Sequence, residues 1–213
     1  MSSQRELQDH FFREAKRNGY RSRAAYKLIE IDDKKKIFNS GDVVLDLGAA
    51  PGSWLQVAAK RVGKHGTVIG VDLKEIEGFE SNQITLMQDD VTTLSPESFD
   101  GELFDVILSD MAPNTTGTRT IDHHGSVNLC HTALKLSRRL LKPTGNLVMK
   151  VLEGEAYKAL LDLAATYFES AKGYKPKASR AISTEMYIVC TVKFEEIPPA
   201  MQVVPPLPSS GWG

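Results

Sequence analysis

The side chains able to do chemistry fall at or near the ends of apolar runs. Asp72 closes the run Thr67-Val68-Ile69-Gly70-Val71. Asp89 and Asp90 follow Ile84-Thr85-Leu86-Met87-Gln88, and Asp110 follows Val106-Ile107-Leu108-Ser109. Lys150 lies in the run from Asn146 to Leu152. Carboxylates at such ends can accept hydrogen bonds from a nucleoside. Asp72 stands twenty residues past Gly52, the separation of a ribose-binding acid in nucleotide folds. Asp90 can accept from an adenine amino group. Each acid also has a plainer use, Asp72 as a helix N-cap and Asp90 as a turn former.

These groups converge only if the elements between them form a parallel sheet. Val43-Val44-Leu45-Asp46-Leu47 reads as a strand covered on both faces. Gly48-Ala49-Ala50-Pro51-Gly52 then turns the chain into a helix starting at Ser53, whose free N–H groups favour an anion. A dinucleotide asks for G-x-G-x-x-G. Here only Gly48 and Gly52 flank Ala-Ala-Pro, which favours S-adenosylmethionine over NAD.

Strands and helices alternate beyond this point. Helices are expected over 5–18, after Ser22, over 53–62, 122–141 and 155–169. Strands are expected over 43–47, 67–73, 84–88, 104–110, 146–152, 174–178 and 186–194. The order implies a doubly wound, mostly parallel sheet. The short link from Ser179 to Glu185 cannot hold a crossover helix, so the last strand is expected to be antiparallel. Ligands then bind at the carboxyl ends of the strands.

The chain has 213 residues and a net charge of −1, so it is no general polyelectrolyte binder. Charge is uneven, with ten Lys/Arg against six acids in residues 1–36. Such a run is a basic face for nucleic acid or a solvated helix surface. Cys130 and Cys190 lack metal-ligand spacing and read as buried thiols of a reducing compartment. His123 and His124 have no supporting ligand spacing, so no metal is expected. No apolar run reaches membrane-spanning length, and a cytoplasmic protein is expected. Five of the ten prolines lie in residues 195–213, read as an extended tail.

Five blocks carry a resemblance: Arg21-Ser22-Arg23-Ala24-Ala25-Tyr26-Lys27-Leu28, Asp46 to Trp54, Ser109-Asp110-Met111-Ala112-Pro113-Asn114, Val148-Met149-Lys150-Val151, and Ser179-Arg180-Ala181 with Glu185 to Val189. Together they resemble the FtsJ/RrmJ-like ribose 2′-O-methyltransferases, over roughly residues 5–194. The resemblance implies a Rossmann-type class I methyltransferase with a seven-stranded sheet. It implies a catalytic set at Lys27, Asp110, Lys150 and Glu185, with Lys150 as general base. It implies S-adenosylmethionine held by Gly48, Ala50, Gly52, Trp54, Asp72, Asp90 and Asp110, Trp54 forming a wall beside it. Asp89 and Ser53 depart from the glycines many relatives carry there.

The division expected is an RNA-binding helical extension (1–40), a methyltransferase domain (41–194) and the tail (195–213). Arg21, Arg23 and Lys27 are expected to meet RNA, with Lys172, Lys175, Lys177 and Arg180 as a rim. The substrate implied is a uridine ribose of large-subunit (23S) ribosomal RNA, free or in the large ribosomal subunit, acted on by a monomer. Alternatives are a tRNA or mRNA-cap ribose methyltransferase, a non-catalytic RNA-binding assembly factor, and, more distantly, a nicotinamide-dependent dehydrogenase.

Overall fold

The computed structural model describes residues 2–79, 81–179 and 183–195, with side chains from residue 10 onward. Two helices lead, α1 (Ser2–Arg17) and α2 (Ala24–Lys35). Then come β1 (Val43–Leu47), α3 (Ser53–Val62), β2 (Thr67–Asp72), β3 (Ile84–Gln88), β4 (Phe104–Ser109), α4 (Arg119–Leu140), β5 (Leu141–Leu152), α5 (Tyr157–Ala164), β6 (Phe168–Tyr174) and β7 (Glu185–Lys193).

The seven strands form one sheet in the order β3-β2-β1-β4-β5-β7-β6. Pairings from β3 to β5 are parallel, and β7 runs antiparallel between β5 and β6. The order reverses at β1, which opens a crevice at the carboxyl ends of β1 and β4, where ligands of such sheets bind.

Alternation along the inner strands divides the core. Leu45, Leu47, Ile107 and Met149 face α4 and α5, while Val44, Val106, Leu108 and Val148 face α2 and α3. All eight are fully buried. Because both faces are covered, these strands are near-continuous apolar runs.

Two expectations need correcting. The sixth strand lies at Phe168–Tyr174 rather than 174–178, and α5 ends at Ala164 rather than running to 169. Phe168 is buried and Ala171 packs on the core, while Pro176 has no N–H to continue a ladder. The link to β7 is therefore 175–184, still too short for a crossover helix. On α1, Phe11 stacks on Tyr26 and Ala15 is buried, while Phe12 is 65% exposed. The α2 segment packs on the sheet. Ala25, Leu28, Ile31 and Ile37 are fully buried in the same cluster as β1 and α3. The proline-rich stretch past Glu195 and Arg180 lie outside the described residues.

Candidate active site

A cavity of about 400 Å³ opens at the carboxyl edge of β1, β2 and β4. Gly48, Ala50, Asp72, Asp90 and Asp110 line it, five of the seven residues expected to hold a cofactor. Gly48 has φ +73°, and a Cβ there would lie 2.5 Å from Met111 Cγ, so only glycine lets the β1 and β4 loops approach this closely. Asp72 is not a helix cap. Its Oδ2 accepts the Ala50 N–H at 2.9 Å and its Oδ1 the Lys74 N–H at 2.8 Å, which fixes the turn while leaving lone pairs for ribose hydroxyls. Asp90 does form a turn: its Oδ1 accepts the Thr92 N–H and hydroxyl, which hold its carboxyl below the usual range.

Gly52 and Trp54 lie outside this lining. Trp54 is buried, donates Nε1–H to the Ala24 carbonyl at 2.9 Å and stacks on Tyr187. It borders a recess of about 30 Å³ beneath the glycine turn, one layer behind the cavity, with Asp46, Ser53 and Asp110. Asp46 was not anticipated as a site residue. It is fully buried, and neither carboxylate oxygen has a hydrogen-bond partner among the described residues. Burial, then the charges of Asp110 and Asp72, push its carboxyl well above the usual range. An orphaned acid ringed by acids suits a ligand that brings positive charge and repels a pyrophosphate. S-adenosylmethionine, with its sulfonium and ammonium, fits these residues; NAD does not.

Beside this edge two ion pairs meet. Lys150 Nζ donates to the Asp110 carbonyl at 2.6 Å and lies 3.1 Å from Asp110 Oδ1. Lys27 Nζ donates to Glu185 Oε2 at 2.8 Å. Both lysines are buried, from α2 and β5. Burial alone would raise the Glu185 carboxyl, but the charge and hydrogen bond of Lys27 hold it below the usual range.

Tyr187 stands between the pairs and was also not anticipated. Its hydroxyl donates to Asp110 Oδ1 at 2.8 Å, and Lys27 Nζ sits 5.9 Å from its ring centroid. It pairs in register with Lys150, and Glu185 two residues earlier shares its face of β7. That i, i+2 spacing was the signal available in the sequence. Burial, then the Asp110 charge, push its hydroxyl well above the usual tyrosine range, so it stays a donor at neutral pH. Tyr187→Phe keeps the stack on Trp54 and removes that donor. It is expected to lower kcat about tenfold with cofactor affinity unchanged, read by steady-state kinetics and calorimetry.

Two further groups steady β5. Cys130, its thiol pushed up to about 12 by burial, donates to the Lys150 carbonyl. His123 lies within α4, hydrogen-bonding the Leu152 carbonyl through Nδ1 and accepting the Ala156 N–H at Nε2. Both ring nitrogens thus meet backbone.

Of the residues expected to meet RNA, Lys27 is an interior group and Arg23 is the residue preceding α2. The Arg21 guanidinium donates to the carbonyls of Pro51, Glu77 and Gly78. On the expected rim, Lys175 Nζ donates to the Ser183 carbonyl.

A seven-stranded sheet with β7 antiparallel, an acid-lined cleft at its switch point and a glycine turn define a Rossmann-type methyltransferase. Residues 20–193 match the sequence profile of the FtsJ-like methyltransferase family, and the chain belongs to that family. It is 45% identical over 188 residues to a ribosomal RNA large subunit methyltransferase E of Syntrophobacter fumaroxidans, covering 86% of this chain and 94% of that one. A protein of the same name from Halorubrum lacusprofundi is 42% identical over 186 residues, covering 85% and 69%. Among solved structures, a chain described as a candidate ribosomal RNA methyltransferase from Plasmodium falciparum superposes with a TM-score of 0.73. It is 28% identical and covers 82% of this chain and 99% of that one.

Proposed function

We propose that this protein methylates a ribose 2′-hydroxyl of large-subunit ribosomal RNA, using S-adenosylmethionine. The observation that carries the reading is the pair of buried Lys–acid contacts joined through Tyr187 at the mouth of the acid-lined cleft. The names of the relatives support the choice of RNA.

Asp72 and Asp90 hold the nucleoside part of the donor, and Gly48, Ala50 and Asp110 bound the space for the rest. Gly52 and Trp54 shape the turn from behind. The donor supplies an electrophilic methyl group and a positive charge that vanishes on transfer. A ribose hydroxyl is a weak nucleophile and must shed its proton as the new bond forms. Lys150 takes that proton, and Asp110 aims its amine. Lys27, fixed by Glu185, orients the hydroxyl. Much of the rate comes from holding oxygen, carbon and sulfur in line. The ribose reaches this buried cluster when its nucleotide is splayed out of the RNA stack. Basic residues around α2 other than Arg21, with Lys172 and Lys177 as a rim, position the RNA backbone, Arg23 among the contacts.

Mapping 2′-O-methylation in cells with and without the protein tests this. One site in large-subunit ribosomal RNA, a uridine, is expected to lose its methyl group. A loss confined to tRNA or to mRNA caps would overturn the substrate.

A further inference from the structure

Arg21 lies on the link between α1 and α2, where a basic residue would serve RNA, yet every polar contact of its side chain is to protein backbone. Its Nη1 donates to the Pro51 carbonyl of the glycine turn at 2.9 Å. Its Nη2 donates to the carbonyls of Glu77 and Gly78, the latter at 2.7 Å. The guanidinium plane lies over the Phe79 ring, 3.9 Å from its centroid. The Phe79 ring in turn covers Gly52, where a Cβ would come within 2.5 Å of it. The backbone of Arg21 is held too: its N–H donates to Gln56 Oε1, and Gln56 Nε2 donates to the Gly19 carbonyl.

The segment so gripped is the irregular stretch 73–79 after β2. Its first two residues, Leu73 and Lys74, form a wall of the cleft, and Leu73 is 68% exposed. Asp72 holds the near end through the Lys74 N–H, and Arg21 holds the far end. Ile76 and Phe79 pack on the core between them.

We propose that Arg21 is a positioning residue that latches segment 73–79 to the glycine turn, so that it sets affinity for the methyl donor rather than for RNA. The inference rests on the reading of the cleft as a donor site. Its physical content is the fork geometry: a guanidinium reaches three carbonyls and stacks on a ring at once, which an ammonium cannot do.

Calorimetry with S-adenosylmethionine, and filter binding of large-subunit ribosomal RNA, are run on the wild type, Arg21→Ala, Arg21→Lys and Phe79→Ala. Donor affinity is expected to fall about tenfold in all three variants. The Michaelis constant for the donor should rise in step, with kcat and RNA affinity in the absence of donor unchanged. Arg21→Ala combined with Phe79→Ala should cost little more than either alone, since both open one latch. The opposite pattern overturns the proposal: RNA affinity lost in Arg21→Ala, restored in Arg21→Lys, and donor affinity unmoved throughout. Failure of the wild type itself to bind S-adenosylmethionine would instead overturn the functional reading on which the latch rests.

Discussion

Lys150→Ala is expected to abolish methyl transfer while S-adenosylmethionine still binds. Lys150 is buried, contacts Asp110 through two oxygens and lies opposite Tyr187, but it does not line the cofactor cleft. Removing it takes away the proton acceptor, worth about 10²–10⁴-fold, and the cation that fixes Asp110. Asp110 keeps the Tyr187 hydroxyl, so the cleft side of the carboxylate retains a partner. Lys150→Arg separates the two losses. A guanidinium keeps the charge beside Asp110 but cannot give up its proton. It should therefore be nearly as inactive as the alanine variant if proton removal is the role. Single-turnover transfer of a tritiated methyl group measures the first quantity and calorimetry the second. Near-normal activity in either variant would refute Lys150 as the base.

Asp46→Asn should make the protein more stable without ligand and a poorer binder of the methyl donor. Asp46 is wholly buried with no partner for either oxygen, and its carboxyl is pushed well above the usual range. An acid raised in the folded state binds a proton that the unfolded chain has released. The folded state therefore loses ground as pH rises above the unfolded value of about 4, by about 1.4 kcal/mol per pH unit for as long as Asp46 stays protonated. Asparagine removes that slope. The advantage of the variant should grow between pH 5 and pH 7, as measured by urea unfolding. Its affinity for S-adenosylmethionine should drop about tenfold or more, because asparagine has no proton to release and so cannot take on the negative charge that a bound cationic donor draws from Asp46. A stability difference that stays flat with pH would show that Asp46 is ionised in the free protein, and an unchanged affinity would show that the donor does not need it.

The inner sheet was readable because its strands are buried on both faces. Val44, Val68, Val106 and Val148 belong to apolar runs broken by glycine and polar turns, so position and order followed directly. β6 was misplaced because it is an edge strand. Phe168-Glu169-Ser170-Ala171-Lys172 buries only Phe168 and mixes polar with apolar residues on both faces, so it reads as the end of a helix. Strand-end acids were legible for the same reason as the strands, and Asp72, Asp90 and Asp110 line one cleft. The Lys27–Glu185 contact was legible only through family resemblance, since its partners are 158 residues apart. Tyr187 looked like one more apolar member of an alternating strand. Asp46 looked like part of a motif, because a missing partner is invisible in sequence. The backbone contacts of Arg21 were not legible, because composition counts its charge but says nothing of the carbonyls it meets.

The insertion of β7 between β5 and β6 sets an order of assembly. The cleft is built from the residues that end or follow β1, β2, β3 and β4, with Leu129 of α4, all within residues 43–129. Glu185 and Tyr187 come from the last strand, and Asp110 acquires its tyrosine partner across 77 positions. Every residue that lines the cleft thus precedes Glu185 and Tyr187 in the chain, and the ion-paired cluster beside it is complete only when the last strand has joined the sheet.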